Sequence, residues 1–199
     1  MPSVGTTIPH DSAVGHVTGQ AIYLDDVPSM AGELHVGFVP SPIACGTLTG
    51  IDATAARAIP GVVAVYTVAD VPAHNMFGPL AADEPFLADQ RLLYVGQPVA
   101  IVAAETREAL YRGIAAVKLT CTEEPPLLSL EESIAEERFL GVERRIARGG
   151  EINVELAKAP HRLSGTFHIG GQEQFYLESQ AAIAYPGEDY EKILIRVVL

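Results

Sequence analysis

Two strand–helix–strand segments, one from Gly46 to Val68 and one from Val99 to Thr122, constrain the fold of this chain more than any other feature. In the first, Gly46 to Ile51 reads as a strand and Asp52 can cap a short helix, Ala53 to Ile59. Pro60-Gly61 ends that helix, and Val62 to Val68 returns as a strand. In the second, the strand Val99 to Ala103 leads to Thr106 as N-cap, a helix to about Val117, and a strand from Lys118 to Thr122 closed by Glu123-Glu124-Pro125-Pro126. Leu110, Ile114 and Val117 recur at i, i+4 and i+7, so that helix carries one apolar stripe that must lie against a sheet. The segments echo each other in element order, with no residue-level repeat. A further strand, Leu34 to Val39, precedes them and is stopped by Pro40-Ser41-Pro42.

The flanks read differently. Residues 1–15 are rich in Gly, Pro, Ser and Thr without periodicity and predict a mobile arm, with order starting near Val17. From Leu128 to Gly150 a short acidic helix, Leu130 to Glu137, then charges and Gly149-Gly150 read as a surface connector. Beyond it, Arg162 to Ile169, Gln180 to Tyr185 and Lys192 to Val198 predict three strands of a new β-rich unit, whose last strand, Ile193 to Leu199, would be left apolar and uncovered. The expected division is therefore 1–15 arm, 16–126 first domain, 127–150 connector and 151–199 second domain.

Length and charge exclude several functions. At 199 residues, 48% hydrophobic and 19% charged, the chain can bury one sizeable core, or one domain and part of another. Its formal net charge of −12 repels polyphosphate and anionic membrane surfaces, which argues against nucleic-acid or membrane partners. The one basic cluster, Arg144-Arg145-Ile146-Ala147-Arg148, follows Glu136, Glu137 and Glu143 and has no interleaved aromatics, the pattern of a solvated face. Cys45 and Cys121 form no CxxC, are too few for a four-thiolate cluster, and suit buried thiols in a reducing cytoplasm. The first residues show no basic region followed by an apolar one, and no apolar run reaches membrane-spanning length, so neither export nor a membrane span is expected. The six histidines show neither HxH nor HExxH spacing, which argues against a protein-ligated zinc. No phosphate-cradling glycine pattern occurs, so a nucleotide site is not expected.

Candidate chemistry concentrates in Gly170-Gly171-Gln172-Glu173-Gln174-Phe175-Tyr176-Leu177-Glu178. The glycine pair ends the apolar run Leu163 to Ile169 and lets a backbone approach a ligand closely. The amide of Gln172 can then donate to an anionic oxygen while its carbonyl is held by the protein, or it can satisfy backbone groups at a strand end. Phe175, Tyr176 and Leu177 suit packing that excludes water. Glu173 and Glu178 would serve a carboxylate-based hydrolase, but their spacing fixes no mutual geometry. Asp25-Asp26, before Val27-Pro28, suits a carboxylate that caps its own turn.

On the Gly170–Glu178 residues the chain resembles the molybdenum-binding subunit of the xanthine dehydrogenase and aldehyde oxidase family, whose familiar form is GGQEHFYLE; Gln174 stands here in place of the histidine. Thr18-Gly19-Gln20-Ala21-Ile22-Tyr23-Leu24-Asp25-Asp26-Val27-Pro28 is similar to that family's opening TGxAxYxDDxP, and Tyr94 to Ala100 to its YVGQPVA. Pro60-Gly61-Val62 and Asp70-Val71-Pro72 fall between them in family order, so the resemblance covers roughly residues 15–187. It implies an α+β fold, an a/b hammerhead domain over 16–126 followed by the first strands of an incomplete molybdopterin-binding domain. It also implies hydroxylation of a purine or aldehyde at an electrophilic carbon, with a molybdopterin-type molybdenum cofactor in the complete enzyme and none on the isolated chain. The partners implied are iron–sulfur and FAD-binding subunits or domains and the remainder of the molybdenum subunit. Gln172 matches the glutamine that hydrogen-bonds an oxygen ligand of molybdenum without ligating the metal, with Gly170 and Gly171 beside the cofactor. The family's chains run several hundred residues further and carry their catalytic glutamate near the far end, so neither Glu173 nor Glu178 takes that role. The alternative is a non-catalytic docking module for the iron–sulfur and flavin subunits.

Overall fold

The computed structural model describes residues 4–141, 144, 150–175, 180–187 and 192–198. In chain order its elements are α1 (Ala13–Thr18), β1 (His35–Pro40), β2 (Gly46–Asp52), α2 (Thr54–Arg57), β3 (Val62–Tyr66), β4 (Met76–Phe77), β5 (Glu84–Pro85) and β6 (Arg91–Leu92). There follow β7 (Pro98–Ala104), α3 (Arg107–Ala116), β8 (Lys118–Glu123), α4 (Leu130–Ala135), α5 (Ile152–Lys158), β9 (Ala181–Pro186) and β10 (Ile193–Val198). The chain divides into two compact units, Met1–Met30 with Ala147–Leu199, and Ala31–Ile146.

In the Ala31–Ile146 unit both strand–helix–strand segments form, and they pair with each other. One three-stranded sheet has the order β1-β7-β3 and a second β6-β2-β8, β4 and β5 form a small pair of their own, and every neighbouring pair is antiparallel. Each segment therefore crosses from one sheet to the other, β2 to β3 through α2 and β7 to β8 through α3. The predicted stripe does face a sheet: Leu110 and Val117 are buried and Ile114 packs on the same cluster, against Val39, Val65 and Val102. Ile51 and Leu119, opposite each other on β2 and β8, also touch the second cluster of Leu48, Ala88, Leu92 and Val99, and so join the two cores.

Local chemistry sets the element ends. Thr106 Oγ1 accepts from the Ala109 N–H at 3.1 Å, an N-cap worth about 1 kcal/mol. Asp52 accepts the Thr54 N–H at 2.9 Å, but α2 is shorter than the expected Ala53 to Ile59, because the Ala58 and Ile59 amides bond back three residues and tighten the last turn. β3 stops at Tyr66, short of Val68, because Asp70 Oδ2 takes the Thr67 N–H at 2.8 Å and its hydroxyl at 3.1 Å, folding Val68–Asp70 into a 3-10 turn. The expected Leu130 to Glu137 helix runs only Leu130–Ala135, started by a reciprocal cap of Ser129 and Glu132. α3 crosses its sheet at Gly113: a Cβ there would lie 2.9 Å from Val102 Cγ1 and 3.0 Å from Val62 Cγ2, so only glycine permits this approach.

In the other unit α1 begins at Ala13, inside the expected arm of residues 1–15, and runs on to Thr18, ended by Gly19 in the left-handed region. Tyr23–Asp26 repeats the turn at Thr67–Asp70, with Asp26 Oδ2 accepting the Tyr23 N–H at 2.9 Å. Expectation and structure part over 151–169. Residues Ile152–Lys158 are helical, and Arg162 to Ile169 is not a strand. The stretch has the alternation of a strand, yet no described residue pairs with it, and Leu163, Phe167 and Ile169 are at least 86% exposed. The last two expected strands form the antiparallel hairpin β9–β10, which lies against the Leu24–Asp26 turn.

Candidate functional site

Gly170, Gly171 and Gln172 lie on the irregular stretch after Ile169, all three exposed. A Cβ at either glycine would meet nothing within 4 Å among the described residues, and neither has a positive φ, so nothing among those residues demands glycine there. The room they leave is room for something approaching from outside. Among the described residues the Gln172 amide has no hydrogen-bond partner, so its donors and its carbonyl are both unspent. Glu173 is likewise exposed. Phe175, expected as packing, is 93% exposed and sits at φ 54, a left-handed conformation uncommon for a bulky residue. Tyr176, Leu177 and Glu178 lie outside the described residues, as do Arg145 to Arg148 of the basic cluster.

The other singled-out residues are structural. Asp26 caps its turn as the sequence suggested, and Asp70 does the same; the Thr67 N–H and hydroxyl hold the Asp70 carboxyl below the usual carboxylate range. Cys45 and Cys121 are free thiols, each partly exposed. The Glu124 N–H bonds the Cys45 carbonyl while Cys121 stands opposite Leu48, three positions along the ladder. That offset is about 10 Å, beyond the roughly 7 Å a disulfide spans. Burial pushes the Cys121 thiol up. Glu124 is held low by the Arg91 guanidinium, with a weaker contribution from the Thr47 hydroxyl. Among the described residues no three His, Cys, Asp or Glu side chains could hold a metal, and no helix is long and apolar enough to cross a membrane.

Two structural residues escaped the sequence reading. Gln97 is 2% exposed, and its Oε1 accepts the Leu93 N–H at 2.7 Å while its backbone exchanges bonds with Ser41 and Tyr94, which holds the loop Leu93–Gln97 rigid. Asn75 acts as a side-chain ladder, donating to the Leu87 carbonyl at 2.7 Å and accepting the Leu87 N–H at 3.0 Å. A polar residue inside an apolar run was the available signal for Gln97; Asn75 had none.

As chemistry, a neutral amide donor beside two open glycines fits a ligand that presents an oxygen. The fit covers one wall only. Two cavities among the described residues lie elsewhere, at Ile152–Leu156 and between Tyr66 and Phe86, and neither is lined by Gly170, Gly171 or Gln172.

Residues 18–125 match the family model described as aldehyde oxidase and xanthine dehydrogenase, a/b hammerhead domain, and residues 136–197 match that of the molybdopterin cofactor-binding domain. Xanthine dehydrogenase/oxidase of Gallus gallus is 37% identical over 190 residues, 95% of this chain and 14% of that protein. Aldehyde oxidase 1 of Cavia porcellus is 36% identical over 94% of this chain and 14% of its own length, so the chain spans about one seventh of these relatives. Among solved structures, the aldehyde oxidoreductase of Desulfovibrio gigas superposes with a TM-score of 0.85 at 28% identity, over 95% of this chain and 23% of that one. Quinoline 2-oxidoreductase of Pseudomonas putida shares the fold, with a TM-score of 0.80 at 24% identity over 98% of this chain and 26% of its own.

Proposed function

Because the chain belongs to the aldehyde oxidase and xanthine dehydrogenase family, we propose that it is the N-terminal part of the molybdenum-binding portion of a xanthine dehydrogenase-like hydroxylase, which oxidises a purine or an aldehyde at an electrophilic carbon. The observation that carries this reading is that a hammerhead portion and a cofactor-binding portion follow one another in one chain. The proposed division is a hammerhead domain over 16–126, a connector over 127–150 and the start of the cofactor-binding domain from 151.

In this reading the complete enzyme holds a molybdopterin-type molybdenum cofactor, which supplies the redox chemistry. The chain's own part would be positional: Gln172 would donate its amide N–H to an oxygen of the bound cofactor without ligating the metal, and Gly170 and Gly171 would let the backbone lie close to it. Iron–sulfur and FAD-binding subunits or domains carry electrons away, in the cytoplasm. On this reading the isolated chain binds no molybdenum, because the rest of the cofactor site lies in the remainder of the molybdenum subunit.

The test compares Gln172→Ala with the parent in the complete enzyme, by single-turnover reduction with molybdenum content measured in both. Gln172 is exposed, so the change should cost folding less than about 0.5 kcal/mol, as for an ordinary surface substitution. A donor aimed at an oxygen whose charge changes during reaction is worth roughly 2.7–4 kcal/mol, so the reduction rate should fall about a hundredfold to a thousandfold. Parental rate at full molybdenum content would leave Gln172 with no role in the reaction.

A further inference from the structure

The outer face of the β1-β7-β3 sheet carries a second feature, unrelated to Gln172. Opposite the face that α3 covers, Phe38, Ile101 and Tyr66 stand in one row across the three strands, with Val36, Ala103 and Ala64 in the next. Phe86 meets Phe38 edge-on, with ring centroids 6.5 Å apart at 79°. Between Tyr66, Phe86, Leu87 and Ile101 lies a hole of about 170 Å³, with Asp70 on its lining.

Magnitudes narrow what this face can take. Small-molecule sites run about 300–1,000 Å³, so this hole suits one apolar side chain rather than a free ligand. Phe38, Tyr66 and Phe86 are 47%, 48% and 44% exposed. At about 150–250 Å² per aromatic side chain, the three rings expose roughly 300 Å². A second copy docking isologously would need roughly 800 Å² per partner, between two and three times what the rings offer, whereas a single amphipathic segment needs a smaller apolar footprint.

The walls are preset. The Phe86 N–H bonds the Asn75 carbonyl at 2.7 Å and the Asn75 side chain clamps Leu87 from both sides, so little ordering cost remains on binding. Asp70 lines the hole with its Oδ2 held by Thr67, and Arg57 is committed to the Val65 carbonyl at 3.0 Å. In a chain of net charge −12 this favours a cationic neighbour for the occupant's apolar anchor.

We propose that this sheet face docks an amphipathic segment of a partner polypeptide, one large apolar side chain entering the hole beside Phe86 and a basic residue one helical turn away meeting Asp70. The surface lies in the Ala31–Ile146 unit and does not depend on the role of Gln172.

The probes are fluorescein-labelled 15-residue amphipathic helical peptides with a central Phe, carrying either Lys or Glu four residues later, titrated into the 199-residue chain by anisotropy. The Lys peptide should bind at least tenfold more tightly than the Glu peptide. Tyr66→Ser and Phe86→Ser should each weaken it at least tenfold, while Tyr111→Ser, on an exposed position of α3, should leave it unchanged; circular dichroism checks that each variant folds. Equal affinity for the two peptides, no binding of either, or equal loss in all three variants would overturn the proposal. So would a dimer in light scattering that Tyr66→Ser dissolves, since the occupant would then be a second copy.

Discussion

Replacing Gly113 by alanine sets two physical effects against each other on one atom. Glycine inside a helix costs about 1 kcal/mol relative to alanine, and Gly113 lies well inside α3, so helix propensity alone predicts that Gly113→Ala stabilises the protein by about that amount. The added methyl would stand 2.9 Å from Val102 Cγ1 and 3.0 Å from Val62 Cγ2. Val102 is fully buried on the central strand β7, and a β-branched side chain has one favoured rotamer, so it does not swing away cheaply. Overpacking of this kind costs about 1–3 kcal/mol, which outweighs the propensity gain at most of its range. The expected result is a net loss of about 1 kcal/mol, or roughly 4–8 °C in Tm for a domain of about this size. Urea titration followed on the amide signals of Val102 and Leu110 reads the unit that matters. Val102→Ala alone should cost about 1–3 kcal/mol through its cavity. Combined with Gly113→Ala, the new methyl fills part of that cavity, and the double variant should be more stable than the sum of the singles predicts by about 1 kcal/mol. A stabilised Gly113→Ala, or strict additivity in the pair, would refute the close approach of α3 to its sheet.

Thr106→Ala should cost about 1 kcal/mol of stability through loss of the α3 N-cap, read from the same urea titration. The Thr67 bonds depress the folded-state pKa of Asp70, so their stabilisation is present above the ordinary carboxylate value near 3.9 and is lost as pH falls through the folded value; the protection factor of the Thr67 amide, its exchange rate relative to the intrinsic rate at each pH, should fall below about pH 4, and a protection factor unchanged from pH 6 to pH 2 would contradict the bond. Limited proteolysis should cut first between Leu130 and Gly150, with Pro98–Glu123 protected; first cuts inside β7 or α3 would show that the proposed domain boundary is misplaced.

Much of the Ala31–Ile146 unit was legible because its signals are local. The Thr106 cap, the Leu110–Ile114–Val117 stripe and, in the other unit, the carboxylate of Asp26 before Val27-Pro28 need only a few neighbouring residues to act, and each does what its spacing implies. Sheet membership was not legible. Two strand–helix–strand segments of the same order could each have formed a parallel unit, and only the distant pairings of β2 with β8 and β3 with β7 decide otherwise. Arg162 to Ile169 fails for the complementary reason: alternation prepares a strand, but a ladder needs a partner, and none of the described residues supplies one. At the candidate site, the type of residue was readable and the isolation of its amide was not. The apolar run around Gln97 hinted at its burial, whereas nothing beside Gln172 foretold its exposure.

The pairing of the two segments is concentric, with β3 on β7 inside β2 on β8, as in the stem of a long hairpin. The inner pair joins Val62–Tyr66 to Ile101–Ala104, and the outer pair reaches from Thr49 to Thr120, 71 residues apart. Loop-closure entropy grows only logarithmically, so once the inner strands have met, the outer ones are held close and close a much shorter effective loop. Folding is thus expected to zip outward, slowly for its size, because even the first contact is far from local in sequence. Neither segment can complete its sheets without the other, so a ribosome-bound chain has no stopping point inside this unit until Glu123 has emerged.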